Sequence, residues 1–555
     1  MNRFAQTPLL AALALLAGSA TARAQQAAPA RSATQAQAVK RAPAAAPRLI
    51  VFVTVDQMRA EYLDRWASQY TAGLARLRRG GAVFTEAYQD HAITETAPGH
   101  ATVLSGREPW KTGIVRNDAG VQDPQVTQVG AAGPGVSPFR FRGSVLMDWL
   151  RTADPLSRGL SVSRKDRGAI LPMGRNQQQV FWYATTPGLF VTSTWYADTL
   201  PGWVRTFNGR RLPQGYAGRT WSLLLPPSAY TEPDSVRAES RDSGVVFPHP
   251  FPTDSAAAAA WLPETPFMDE VTVALALAGV DALRLGAGAH TDLLAVSLSA
   301  TDYIGHRYGP DSREIHDQLL RLDRLLGVFM DSLYARVDSS HVAFALTADH
   351  GVSPYPEVRA PTPAAAAAAH VELRPVVTRI QQALETRGVP RTAFEFSGEG
   401  LLLVDYAAFA AAGVNADSTV RVFADQARRA PGVARVDLVA GLARQDTAHD
   451  AIARRWLHMI PRDLPIAAVA TLQPNHVWGS LSIAMHGQPY DIDAHVPIVF
   501  YGPWFRPGRY TGFVRVVDMA PTLARVAGVK PTEPIDGRAL VQALRAPAPS
   551  AAAQQ

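Results

Sequence analysis

The feature that most constrains this chain is a short apolar run that stops at an acid and then recurs. Leu49-Ile50-Val51-Phe52-Val53-Thr54-Val55 is rich in β-branched residues, lacks polar alternation and ends at Asp56. A strand with one wet face alternates apolar and polar residues. A continuous run is the pattern of a strand covered on both faces, as in a parallel sheet. Leu293-Leu294-Ala295-Val296-Ser297-Leu298 leads toward Asp302, Val342-Ala343-Phe344-Ala345-Leu346-Thr347 leads into Asp349-His350-Gly351, and Val496 to Gly502 follows His495. Between the second and third runs, Leu319, Leu322, Leu326, Phe329 and Leu333 are spaced 3, 4, 3 and 4, one face of an α-helix. Strand, helix, strand predicts a doubly wound α/β fold with a mostly parallel central sheet and helices on both faces. Such sheets bind ligands at the carboxyl ends of their strands, where these acids fall.

With 555 residues, 47% hydrophobic and 18% charged, the chain can bury a large core. Length alone suggests about three domains. The pattern instead predicts one catalytic domain, residues 48–545, with insertions at about 150–290 and 355–485 that cover the carboxyl-end edge. The first insertion is rich in Trp, Pro and Tyr; the second holds Ala364 to Ala369 and weakly patterned helices. Residues 1–24 read as a signal peptide. Met1-Asn2-Arg3 gives a positive start, Pro8 to Ala20 is apolar, and Ala22-Arg23-Ala24 is a cleavage site, so the mature chain is expected to begin at Gln25 in the periplasm or outside the cell. The apolar run is shorter than the roughly 20 residues of a membrane span, so no membrane association is expected after cleavage. Residues 25–47 read as a disordered leader and 546–555 as a disordered tail, both rich in Ala, Pro and Gln.

The chain has no cysteine, which removes disulfides, thiol nucleophiles and cysteine zinc sites together. Its net charge is +6, but the arginines are scattered and no nucleic-acid motif is present. The positive balance suits an enzyme that attracts small anionic substrates, and a monomer is the expected form.

The chemistry-bearing residues follow in chain order. Asp56, Asp302, His306, Asp349, His350 and His495 are three acids and three histidines, enough for two mixed oxygen–nitrogen sites of three ligands each. Thr96, in Thr94-Glu95-Thr96-Ala97-Pro98-Gly99-His100-Ala101-Thr102, is the candidate nucleophile, with Thr94 as its local competitor. Pro98 suits the first turn of a helix. Thr96 would then lie at a helix N-terminus, where free N–H groups favour an anion. A threonine hydroxyl needs a metal or a base to ionise.

Taken together, Val55-Asp56-Gln57-Met58-Arg59, Thr96-Ala97-Pro98-Gly99-His100, Ser163-Arg164-Lys165-Asp166-Arg167, Thr301-Asp302-Tyr303-Ile304-Gly305-His306, Thr347-Ala348-Asp349-His350-Gly351 and Asp493-Ala494-His495-Val496-Pro497 resemble, in order, the alkaline phosphatase superfamily. Within it the chain most resembles the phosphate-irrepressible, PafA-type alkaline phosphatases, with nucleotide pyrophosphatase/phosphodiesterases as wider relatives. The resemblance implies two zinc ions per chain, one held by Asp302, His306 and His495, the other by Asp56, Asp349 and His350. It implies that Thr96 coordinates the second zinc as its alkoxide, forms a phospho-threonine, and that Asn117, Lys165 and Arg167 bind phosphoryl oxygens. Small phosphate esters are the implied substrates. A monoester carries an extra charged oxygen, which suits Lys165 and Arg167, so a phosphomonoesterase is expected ahead of a phosphodiesterase or nucleotide pyrophosphatase. Sulfatases of the superfamily use a modified Cys or Ser, which argues against them here.

Overall fold

The computed structural model describes residues 46–235, 246–360, 362–479 and 484–545. The expected signal peptide, all but the last two residues of the leader, and the tail lie outside the described residues.

Ten strands build the main sheet: β1 (Leu49–Val55), β2 (Ala82–Phe84), β3 (Gln128–Val129), β4 (Gly159–Ser163), β5 (Gln179–Ala184), β6 (Leu189–Ser193), β7 (Asp292–Leu298), β8 (Val342–Thr347), β9 (Ile498–Tyr501) and β10 (Gly508–Tyr510). Their order is β10-β2-β9-β8-β1-β7-β4-β5-β6-β3. The middle block β8-β1-β7-β4-β5 is parallel throughout. Every residue of β1, β7 and β8 is buried, as continuous apolar runs require. The run after His495 forms β9, which pairs antiparallel to β8, so the sheet is mixed toward its edges.

Helices surround the sheet. Those used below are α1 (Gly73–Gly80), α2 (Thr96–Val103), α3 (Phe267–Leu283), α4 (Ala300–Tyr308) and α5 (Arg313–Tyr334). The expected stripe Leu319, Leu322, Leu326, Phe329 and Leu333 is the buried face of α5. Helix α1 packs on it at very short range: a Cβ on Gly73 would lie 2.4 Å from Leu326 Cβ and 2.5 Å from Gly327 N. Helix α3 packs on β4 and β7.

The stretch 150–290 supplies β4, β5, β6 and α3, so much of it belongs to the central sheet. Gly159-Leu160-Ser161-Val162-Ser163 is short and interrupted by serines, which hides a buried strand from a search for apolar runs. The stretch 355–485 holds a separate antiparallel sheet, in the order Phe394–Phe396, Leu401–Val404, Ile466–Leu472, Val433–Leu438. That sheet has its own apolar cluster with the helices Arg374–Glu385 and Ala416–Ala427. A further cluster joins Ile93 and Val115 to Trp456, Met459 and Val469.

Candidate active site

Parallel register aligns the strand ends. Thr54 pairs with Ser297 and with Thr347, and Ser297 pairs with Ser163. The residues just beyond, Asp56, Asp302, Asp349 and Lys165, therefore emerge along one edge. Asp56 N donates to Leu298 O at 2.9 Å, locking the first of these turns to β7. Asp302 and His306 lie four residues apart on α4, hence on one face, with His306 Nε2 3.3 Å from Asp302 Oδ1. Thr96 is the first residue of α2 and is buried. Gly99 on that helix lets the Asp349 backbone approach, since a Cβ there would lie 2.3 Å from Asp349 O.

Three histidines face the same point, each anchored through Nδ1. His306 Nδ1 donates to Ala484 O at 2.6 Å, His350 Nδ1 to Gly351 O at 2.8 Å, and His486 Nδ1 to Thr94 O at 2.7 Å. A carbonyl oxygen can only accept, so each Nδ1 carries a proton and each Nε2 is the nitrogen left to face the site. His306 Nε2 and His486 Nε2 face each other across 3.3 Å. Asp56 Oδ1, Asp349 Oδ2 and His350 Nε2 are buried without a hydrogen-bond partner. Two groups have ligand atoms within 4.8 Å of one another: Asp56, Asp349 and His350, and Asp302, His350 and His486. Converging lone pairs and unpaired buried oxygens fit bound cations, and the His/Asp donor set is one that zinc accepts.

The electrostatics point the same way. Burial, with the Asp302 and Asp349 carboxylates beside it, pushes the Asp56 carboxyl well above its ordinary range. Burial acts on Asp302 in the same direction, but Lys165 and His306 outweigh it and hold Asp302 low. Asp349 is also held low, burial being overcome by His350 and His100. Burial keeps His350 and His486 neutral, as ligands must be.

Gln57 was not anticipated. Its backbone adopts φ +66°, in the left-handed region that costs a non-glycine residue of order 1–3 kcal/mol. That geometry aims its backbone N at Asp349 Oδ1 and its side-chain Nε2 at Asp302 Oδ1, both at 3.0 Å. Gly305 makes room, since a Cβ there would lie 2.0 Å from Gln57 Oε1.

Lys165 is buried at the centre. Its Nζ lies 2.6 Å from Asp302 Oδ2, 2.7 Å from Asp56 Oδ2 and 3.2 Å from Thr96 Oγ1. Burial alone would discharge the amine, but the Asp302 and Asp56 carboxylates keep it protonated. Arg167 is a quarter exposed, its nearest carboxylate is Asp166 at 3.6 Å, and its Nε has no hydrogen-bond partner. Asn117 Oδ1 accepts from Ala97 N at 2.8 Å, which holds the Asn117 amide at the first turn of α2. Glu95 Oε2 accepts from Asn117 N at 2.8 Å, and burial, with Glu399 nearby, pushes the Glu95 carboxyl up to about 7.

Of the residues expected at the site, His495 is not brought to it. Its Nε2 donates to Thr85 O at 2.7 Å and its ring stacks on Tyr88. That ring nitrogen is occupied, and it is His486 that lies with Asp302 and His350. Both histidines lie near β9; His486 sits in an irregular loop, Met485-His486-Gly487, that carries no periodic signal. Thr94 is likewise committed: its Oγ1 accepts from Gly487 N and donates to Gln488 O, both at 3.1 Å.

The profile of the family described as "Type I phosphodiesterase / nucleotide pyrophosphatase" matches residues 50–382, more than half of the chain and nearly all of this constellation. The chain belongs to that family. Among curated relatives, alkaline phosphatase PafA of Elizabethkingia meningoseptica is 35% identical over 328 residues, 55% of this chain and 60% of that protein. The match thus spans under two thirds of that relative's length. Alkaline phosphatase PhoK of Sphingomonas sp is 31% identical over 533 residues, covering 89% of this chain and 91% of the relative. The crystal structure of wild-type alkaline phosphatase PafA superposes with a TM-score of 0.81 at 25% identity, covering 90% of this chain and 99% of that one. The type I phosphodiesterase fold of this chain is thus that of PafA, a mostly parallel sheet with helices around it. No helix among the described residues is long and apolar enough to cross a membrane.

Proposed function

We propose that this chain is an exported phosphate monoester hydrolase that acts through a phospho-threonine at Thr96 with two zinc ions. The observation that carries the reading is the buried Lys165 ammonium, 3.2 Å from Thr96 Oγ1 and ion-paired to an acid of each candidate metal group. The alkaline phosphatase names of PafA and PhoK support it.

Asp56, Asp349 and His350 would hold one zinc beside Thr96; Asp302, His306 and His486 would hold the other. When bound, the pair would stabilise the negative charge on the attacking and leaving oxygens of an in-line displacement. Thr96 Oγ forms the bond to phosphorus as the ester oxygen leaves, and water later returns the threonine. The N-terminus of α2 favours the anionic phosphoryl group. Lys165 lies where it can favour the ionised form of the nucleophile and offset charge on a phosphoryl oxygen. The Asn117 amide nitrogen and the Arg167 guanidinium supply further donors. The transition state is loose, so such positioning and charge stabilisation carry most of the catalysis.

A phosphodiesterase on the same scaffold is the reading that the family's name favours. Steady-state rates on an aryl phosphate monoester and the matching diester, with zinc measured per chain, separate the two. The monoester should be preferred, with about two zinc ions bound. Acid quench should trap phosphate on Thr96, and Thr96→Ala should abolish the label. A label elsewhere, or a diester preference, would overturn the reading.

A further inference from the structure

Most of the buried polar side chains at the strand ends belong to the site already described. His100 does not: it is fully buried one turn into α2 and touches segments that carry four of the working parts. Its Nδ1 lies 2.9 Å from Thr96 O and 3.1 Å from Asp349 Oδ2. Because the Thr96 carbonyl can only accept, Nδ1 carries a proton, and Nε2 is hydrogen-bonded with Ser297 Oγ, 2.9 Å away at the end of β7. On its far side is Gly168, in the turn after Lys165. A Cβ there would lie 2.7 Å from Ser163 Oγ, 2.9 Å from Ser297 Oγ and 3.4 Å from His100 Nε2. Ser163 Oγ in turn accepts from Lys165 N at 3.0 Å.

One imidazole thus meets the nucleophile helix, the Asp349 loop, the end of the strand leading to Asp302, and the Lys165 turn. We propose that His100 is a positioning residue: its N–H, bonded to Thr96 O, holds the ring against the Asp349 carboxylate at the first turn of α2 and so sets the register between Thr96 and the metal that Asp349 would hold. The chemistry requires a group at this place that leaves Asp349 free to bind. Asp349 Oδ1 already accepts from Gln57 N and His350 N at 3.0 Å each, so Oδ2 is the oxygen left for a cation. Groups that orient a metal's ligands typically change metal affinity by about 10–100-fold when removed.

The inference rests on the proposed zinc hydrolase, and its test separates the two. Full-length wild type, His100→Phe, His100→Gln and Ser297→Ala are compared in zinc affinity, by competition with a chromophoric chelator, in kcat and KM on a monoester, and in melting of the zinc-free protein. Phenylalanine fills the space without an N–H; glutamine restores an N–H donor. His100→Phe should lose about 10–100-fold in zinc affinity and lose kcat with little change in KM, while its zinc-free form melts near wild type. His100→Gln should recover most of the affinity. Should His100→Phe not fold, Ser297→Ala carries the test: removing the partner of Nε2 should weaken zinc several-fold. Wild-type zinc affinity in His100→Phe or in Ser297→Ala, or equal losses in the Phe and Gln variants, would overturn the proposal. Wild type that binds no zinc would overturn the hydrolase reading instead.

Discussion

His486→Ala and His495→Ala should behave oppositely. His486, kept neutral by burial, offers its Nε2 3.3 Å from His306 Nε2 and 3.8 Å from Asp302 Oδ1. Structural zinc sites with four ligands bind with roughly 10–16 kcal/mol, or about 2.5–4 kcal/mol per ligand. At 1.4 kcal/mol per decade, His486→Ala should weaken zinc by about two to three orders of magnitude and lower turnover at limiting zinc at least as much. His495 instead loses one hydrogen bond, to Thr85 O, and one stacked contact, with Tyr88. Each contributes about 0.5–1.5 kcal/mol, so His495→Ala should cost about 1–3 kcal/mol of stability and leave zinc bound. Zinc titration of the purified variants, with thermal melts, decides the matter. If His495→Ala loses the metal and His486→Ala keeps it, the tautomer argument that selects His486 is wrong.

Three further outcomes follow from the same geometry. Lys165→Ala and Arg167→Ala, alone and combined, should lower kcat/KM on a monoester more than on its diester, because one of the contacted oxygens is esterified in the diester; equal losses would reduce the pair to general anion attraction. A methyl at Gly99 would collide with Asp349 O, so Gly99→Ala should destabilise by roughly 1–3 kcal/mol and reduce turnover by displacing Asp349; a melt and a rate equal to wild type would refute the close-contact argument. Burial raises the Asp90 carboxyl, but His458 and Arg454 overcome it and hold Asp90 at about 2. A lowered folded-state value means stability that is present above the unfolded value near 4 and is lost as pH falls toward 2. About 2–3 kcal/mol should vanish over that window, and urea melts of Arg454→Ala should show a weaker pH dependence there.

What the sequence determined by itself is the parallel core and most of the residues gathered at its strand ends. Continuous apolar runs can be satisfied only by strands covered on both faces, so β1, β7 and β8 were legible. The 3-4-3-4 spacing on α5 was legible for the same reason, since a local repeat maps directly onto one helix face. Asp56, Asp302 and Asp349 were legible because strand ends in such sheets converge. Other parts depend on tertiary contact and leave no local trace. β4 is short and laced with serine, and its burial comes from neighbours on both sides. The choice between His486 and His495 turns on which ring nitrogen meets a carbonyl, that of Thr94 or that of Thr85, each about four hundred residues away in the chain. Gln57 and His100 acquire their places only when separate strand ends meet. The chain supplies the lone pairs and the acids; the parallel register and the close glycine contacts decide which of them face one another.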